Sequence, residues 1–120
     1  MKCKVVLYGE DKTQNFSCIG ELILGGNNFS LSYVFNGDSC SLTYDGRILR
    51  HQKQGEIPVN IEFALNKKTL CKIGDGEFFG EIPVFTNSLN VHMGAQNLSV
   101  TVVYELNGEC KKMQIFAECI

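Results

Sequence analysis

The chain has 120 residues, a net charge of −2 and a pI near 5.6, with 44% hydrophobic and 20% charged residues. That is the size and composition of one ordinary globular domain, expected to span 1–120, and it excludes a disordered chain. There is no basic stripe to hold phosphates and no apolar run near the roughly 20 residues that cross a bilayer, so neither nucleic acid nor a membrane is an expected partner.

The first element, 2–8, opens with Met1-Lys-Cys-Lys-Val-Val-Leu-Tyr8, whose apolar run stops before Gly9. It is shorter than the roughly 7–15 residues of a secretory h-region, so a soluble cytoplasmic protein is expected. The following elements read as strands over 15–25, 28–36, 38–45, 46–53, 57–65, 68–74, 77–86, 88–94 joined with 97–106, and 110–119. Most show period-2 alternation of apolar and polar residues, while 46–53 reads as a polar strand. Phe29, Leu31, Tyr33 and Phe35 share one face, and Leu98, Val100, Val102, Tyr104 and Leu106 share another. Between the strands lie Gly25-Gly26, Asn36-Gly37, Asp45-Gly46, Asp75-Gly76 and Asn107-Gly108, pairs that supply the positive φ of tight hairpins. Pro58 and Pro83 mark an edge, a strand start or a bulge, because proline cannot donate to a ladder. A single helical turn fits only at Glu10–Gln14 or Gly94–Asn97. Short connections leave no room for parallel crossovers. The fold class is therefore all-β, a single antiparallel meander of about ten strands, with closure into a barrel favoured over a sandwich because closure removes edges.

Six cysteines are present and no Cys-x-x-Cys. Cys3, Cys18, Cys40, Cys71 and Cys119 share parity with apolar neighbours, as small buried hydrophobes do, and Cys110 stands apart beside a turn. Free thiols are the primary reading. A disulfide framework is the alternative, and parity does not exclude it. The Asn-x-Ser sequons at Asn15, Asn28 and Asn97 are chance matches outside a secretory pathway.

Residues able to carry chemistry are sparse. The two histidines, His51 and His92, have no metal-ligand spacing to other donors, so no metal or cofactor is implied. No Gly-x-Ser-x-Gly elbow occurs, and Gly74-Asp75-Gly76 reads as a hairpin turn, not a phosphate loop. Glu81 faces either solvent or an interior. An inward Glu81 near Arg47, Arg50 or His51 would be desolvated and suspect as a site. Candidate ligand-lining residues at the barrel interior or mouth are Tyr33, Tyr44, Arg50, His51, Phe63, Glu81 and Tyr104.

Several segments carry a family likeness: Leu42-Thr-Tyr-Asp-Gly-Arg-Ile-Leu49, Lys53-Gln54-Gly55, Ile61-Glu-Phe63, Gly76-Glu-Phe-Phe79, Val84-Phe-Thr86, Val102-Val-Tyr-Glu-Leu-Asn107 and Met113-Gln-Ile115. Over about 41–118 the chain resembles the YwiB-like family, small bacterial proteins of unknown function. It departs from the family pattern at Lys53-Gln54-Gly55, where the family has Arg-x-Gly, and at Cys71-Lys72, where it has a Tyr. The resemblance implies a calycin-like or lipocalin-like barrel and brings no catalytic residues.

Three functions follow as expectations. The leading one is a non-enzymatic barrel that binds a small apolar or amphipathic ligand, lined by Leu31, Tyr33, Phe63, Val100, Val102 and Tyr104. The second is an interaction module or homodimer using an outer face that carries Ile19, Ile23, Val34, Phe78, Ile82 and Val103. The third is an enzyme acting through Arg47, Arg50, His51 or Glu81, which requires at least two of them in one cleft.

Overall fold

The computed structural model describes residues 1–8 and 15–120, the side chains of Asn15 and Phe78 excepted. Among the described residues ten strands run in chain order: β1 Lys2–Tyr8, β2 Asn15–Leu24, β3 Phe29–Phe35, β4 Asp38–Tyr44, β5 Ile48–Gln54, β6 Val59–Ala64, β7 Lys68–Asp75, β8 Phe78–Met93, β9 Asn97–Leu106 and β10 Glu109–Cys119. Every strand pairs antiparallel with its chain neighbours, and β1 pairs with β10 to close the barrel. Among the described residues no helix is long and apolar enough to cross a membrane. The helical turn considered at Glu10–Gln14 lies outside the described residues. At Gly94 the chain makes a hairpin turn instead, closed by the Gly94 N–H donating to the Asn97 carbonyl at 3.0 Å.

Four of the turn dipeptides place a residue in the left-handed region, which glycine and asparagine reach at little cost; Gly25-Gly26 turns without a positive φ, and in Asp45-Gly46 and Asp75-Gly76 only the glycine has one. Asn36 and Gly37 adopt φ of 52° and 81°, and Asn107 and Gly108 adopt 51° and 82°. Both pairs therefore have the positive φ at each central residue that a type I′ turn needs. At Asp45-Gly46 the carboxylate caps the turn, accepting from the Arg47 and Ile48 N–H groups at 2.9 and 2.8 Å. The β3–β4, β5–β6, β7–β8 and β9–β10 turns gather at one end of the barrel, the Asn36 end. The opposite end, with the β4–β5 turn, is the Asp45 end.

Alternation sorts the side chains into an interior and an outer wall. Val5, Leu22, Leu31, Leu42, Leu49, Val100 and Val102 are fully buried, and Phe63 and Ile115 nearly so. Cys3, Cys40 and Cys71 lie in this core, Cys18 and Cys119 are half-buried at its margin, Cys110 is exposed, and all six are free thiols. Gly20 sits where two strands crowd: a Cβ there would lie 2.5 Å from the Ser32 carbonyl oxygen and 3.0 Å from Val5 Cγ2.

Strand β8 differs most from the sequence expectation. Instead of a strand over 77–86 and a separate one starting at 88, it is one 16-residue strand with a bulge between Thr86 and Ser88. Val84 and Thr86 point inward, and past the extra residue so do Leu89, Val91 and Met93. A bulge inverts parity without ending a strand, so the inversion imitates a break. The sequence expectation for Ile82 is the outer face, and the structure corrects it. It is paired with the buried Cys71 and packs against the core.

Candidate functional site

The interior is largely apolar, the buried Thr86 apart, and gains a histidine and a lysine near the Asn36 end. Strand β5 produces this change. Its inward positions are Leu49, His51 and Lys53, because these pair with Tyr44, Leu42 and Cys40 on β4 and with Phe63, Ile61 and Val59 on β6. Every one of those partners faces the core. A histidine and a lysine thus occupy positions that the cross-strand pattern marks as interior.

His51 Nε2 lies 2.8 Å from Tyr33 Oη, and the two rings stack with centroids 6.4 Å apart. Tyr33 itself is buried. Burial pushes the His51 imidazole down to about 4, with the Lys53 ammonium adding to the effect, so His51 is neutral at pH 7. Burial raises the Tyr33 phenol, and the neighbouring Cys40 and Cys18 sulfurs raise it further. Burial also raises the Cys40 thiol, against the opposing pull of Lys53. Lys53 Nζ pairs with the Asp38 carboxylate at 3.3 Å, near the rim. The group Tyr33, Cys40, His51, Lys53 and Asp38 is contributed by three successive strands, β3, β4 and β5.

At the same end, the inward Val59 and Ile73 continue the row that starts at Tyr33, Cys40 and Lys53. Ile73, Ile82, Ile57 and Phe79 line a recess of about 760 Å³, bordered by Glu56, Asp75 and Glu77. Ile57 and Phe79 are 63% and 53% exposed, a high value for side chains of this size.

The candidate residues divide between the two faces. Tyr33 and His51 meet inside the barrel. Phe63 is buried and Tyr104 half-buried, their rings packed edge to face with centroids 4.8 Å apart. Tyr44 points inward at the Asp45 end, where its hydroxyl donates to the Gly46 carbonyl at 2.9 Å and its ring packs on Phe29. Arg50 lies on the outer wall, paired with Glu62 at 3.0 Å with both side chains 41% exposed. Glu81 is exposed on the outer wall opposite Lys72. Neither Arg50 nor Glu81 lines the interior, because each alternates with inward neighbours. Arg47 is exposed in the β4–β5 turn. Arg47, Arg50, His51 and Glu81 thus do not share a cleft. His92 is exposed, and among the described residues no three His, Cys, Asp or Glu side chains could hold a metal ion.

Two residues of the polar end are not marked as site residues by the sequence: Lys53, which falls in a polar strand, and Asp38, which opens the strand expected over 38–45. The signal for Lys53 was its spacing of two from His51 and four from Leu49. That signal needs the neighbouring strands' register to acquire a direction.

Superposed on solved structures, the barrel matches the crystal structure of the ywiB protein from Bacillus subtilis with a TM-score of 0.78, covering 99% of this chain and 89% of that one. The two chains share one fold. Their sequences are 17% identical, so the ywiB likeness reaches the strand order and closure and no side-chain role. No family model matches the sequence, and no curated protein matches it.

Proposed function

We propose that the barrel binds a small amphipathic molecule at its Asn36 end and carries out no chemistry on it. The observation that carries this reading is the hydrogen-bonded Tyr33–His51 pair, with Lys53 beside it, on inward positions at the same end as the recess lined by Ile73 and Ile82, Lys53 and Ile73 being joined through Val59 in one cross-strand row. Polar groups in an interior are costly unless paired, and Leu or Val at the same positions would serve the core better. The imidazole and the ammonium fall at one end only, which gives that end of the lining an apolar and a polar character, the division an amphipathic molecule has. Against an enzymatic role stand a raised Cys40 thiol and a neutral imidazole held by a phenol, whereas an activated nucleophile needs a lowered pKa or an adjacent free base.

The test is fluorescence titration with 1-anilinonaphthalene-8-sulfonate, followed by displacement with dodecanoate. Ile73→Ser and His51→Leu are expected to weaken probe binding about tenfold, the change that a loss of about 1.4 kcal/mol produces. Arg50→Ala and Ile23→Ser, both on the outer wall, are expected to leave it unchanged. Weakening by the outer-wall variants alone overturns the reading.

A second reading rests on the outer wall of β2 and β3. Ile19, Ile23 and Val34 are 53%, 67% and 58% exposed there. Ile19 and Val34 also border a shallow groove of about 500 Å³ with Ser32, Ser39 and Ser41. Apolar wall of this kind suits contact with another protein surface or a second copy. A concentration-dependent mass in light scattering, abolished by Ile19→Ser with Val34→Ser, is the result that favours it.

A further inference from the structure

The barrel is closed by pairing β1 with β10, and the seam carries a cysteine on each strand. Cys3 and Cys119 are direct register partners. The hydrogen-bond pattern identifies which kind of pair they form. The Ile120 N–H donates to the Lys2 carbonyl at 3.1 Å, which makes Lys2 and Ile120 a hydrogen-bonded pair. Antiparallel ladders alternate, so Cys3 and Cys119 form the adjacent non-hydrogen-bonded pair. Consistently, the Cys119 N–H turns away from β1 and donates to the Gln96 carbonyl at 2.8 Å.

Non-hydrogen-bonded pairs bring Cα atoms to about 4.5 Å and set the two Cβ atoms closest together. A disulfide spans about 4.4–6.8 Å between Cα atoms. Both side chains point into the same interior, with Cys3 fully buried and Cys119 half-buried. No other strand pairing of the described residues sets two cysteines opposite each other.

We infer that Cys3 and Cys119 are an oxidisable dithiol whose disulfide seals the barrel seam. The oxidant is a low-molecular-weight disulfide such as oxidised glutathione. The Cys119 thiolate, the more accessible of the two, attacks one glutathione sulfur and releases one glutathione thiol. The Cys3 thiolate then attacks the Cys119 sulfur of the mixed disulfide and releases the second. Two thiols of the protein lose their protons and two electrons, and one oxidised glutathione becomes two reduced ones.

The experiment uses the full chain with Cys110→Ser, which removes the exposed thiol and its intermolecular chemistry. The folded protein is incubated with oxidised glutathione, quenched with N-ethylmaleimide and digested. The expected result is a mass lower by two hydrogens, and one peptide pair joining Cys3 to Cys119 that separates on reduction. The sealed protein should also unfold more than roughly 5 °C above the reduced one, because the link closes nearly the whole chain. Adding Cys119→Ser, at a half-buried position that tolerates a small polar side chain, should abolish the joined peptides while circular dichroism still reports the barrel. Alkylation of both Cys3 and Cys119 after this treatment, separate glutathione adducts on each, or a link that forms only in denaturant would overturn the inference.

Discussion

Tyr33 Oη and His51 Nε2 lie 2.8 Å apart within an interior built mainly from apolar side chains. Removing one partner leaves the other buried and unpaired, which costs roughly 1–3 kcal/mol, while removing both can be nearly neutral. Tyr33→Phe and His51→Leu should therefore each destabilise by about 1–2 kcal/mol in urea unfolding. The double variant should recover most of that loss. Strict additivity of the two would show that the atoms are not energetically coupled.

Acid should weaken the fold through His51. Its folded value of about 4 lies below the ordinary 6.5, so between those values the unfolded chain binds more protons than the folded one. Stability contributed by the neutral imidazole is complete above about pH 6.5 and is lost as pH falls toward 4. The full difference amounts to roughly 3 kcal/mol. Unfolding midpoints measured from pH 7 to pH 4 should fall more steeply in the native sequence than in His51→Leu.

Thr86 is fully buried, and among the described residues its Oγ1 has no hydrogen-bond partner. Thr86→Val removes the hydroxyl at nearly constant shape, so a gain of about 1 kcal/mol is expected. Phe63→Ala, in the same interior, should cost about 3–5 kcal/mol, because it opens a cavity beside Tyr104. Thermal denaturation of the two variants reads both signs in one experiment.

Gly20→Ala should prevent normal closure of the sheet. The added Cβ would meet the Ser32 carbonyl oxygen at 2.5 Å, and backbone cannot move aside as a side chain can. Gly26→Ala is the control, since nothing lies within 4 Å of that Cβ. It should be neutral or slightly stabilising through the unfolded chain. Soluble yield and circular dichroism of the two variants should differ sharply.

The strand count, the antiparallel order and most of the core were legible because the turn pairs and the alternation report on chain-local chemistry. Asn36-Gly37 adopts positive φ more readily than most pairs of residue types, and Leu98 to Leu106 needs one buried face in any sheet. The site was harder to read. Arg50-His51-Gln52-Lys53 carries no apolar residue to say which parity points inward, and only pairing with Leu42 and Ile61 decides it. Arg50 and His51 were therefore grouped as neighbours, although a strand sends adjacent side chains to opposite faces. The β8 bulge was hidden for the converse reason: a parity inversion looks the same whether the strand ends or continues.

The seam between β1 and β10 also sets the order in which the molecule can become safe from its neighbours. During synthesis β1 is made first and waits with one side unpaired, and each later strand transfers the second open side to itself. Both exposed ladders vanish only when β10 arrives, so every nascent intermediate carries two sticky margins that a partially made copy could join.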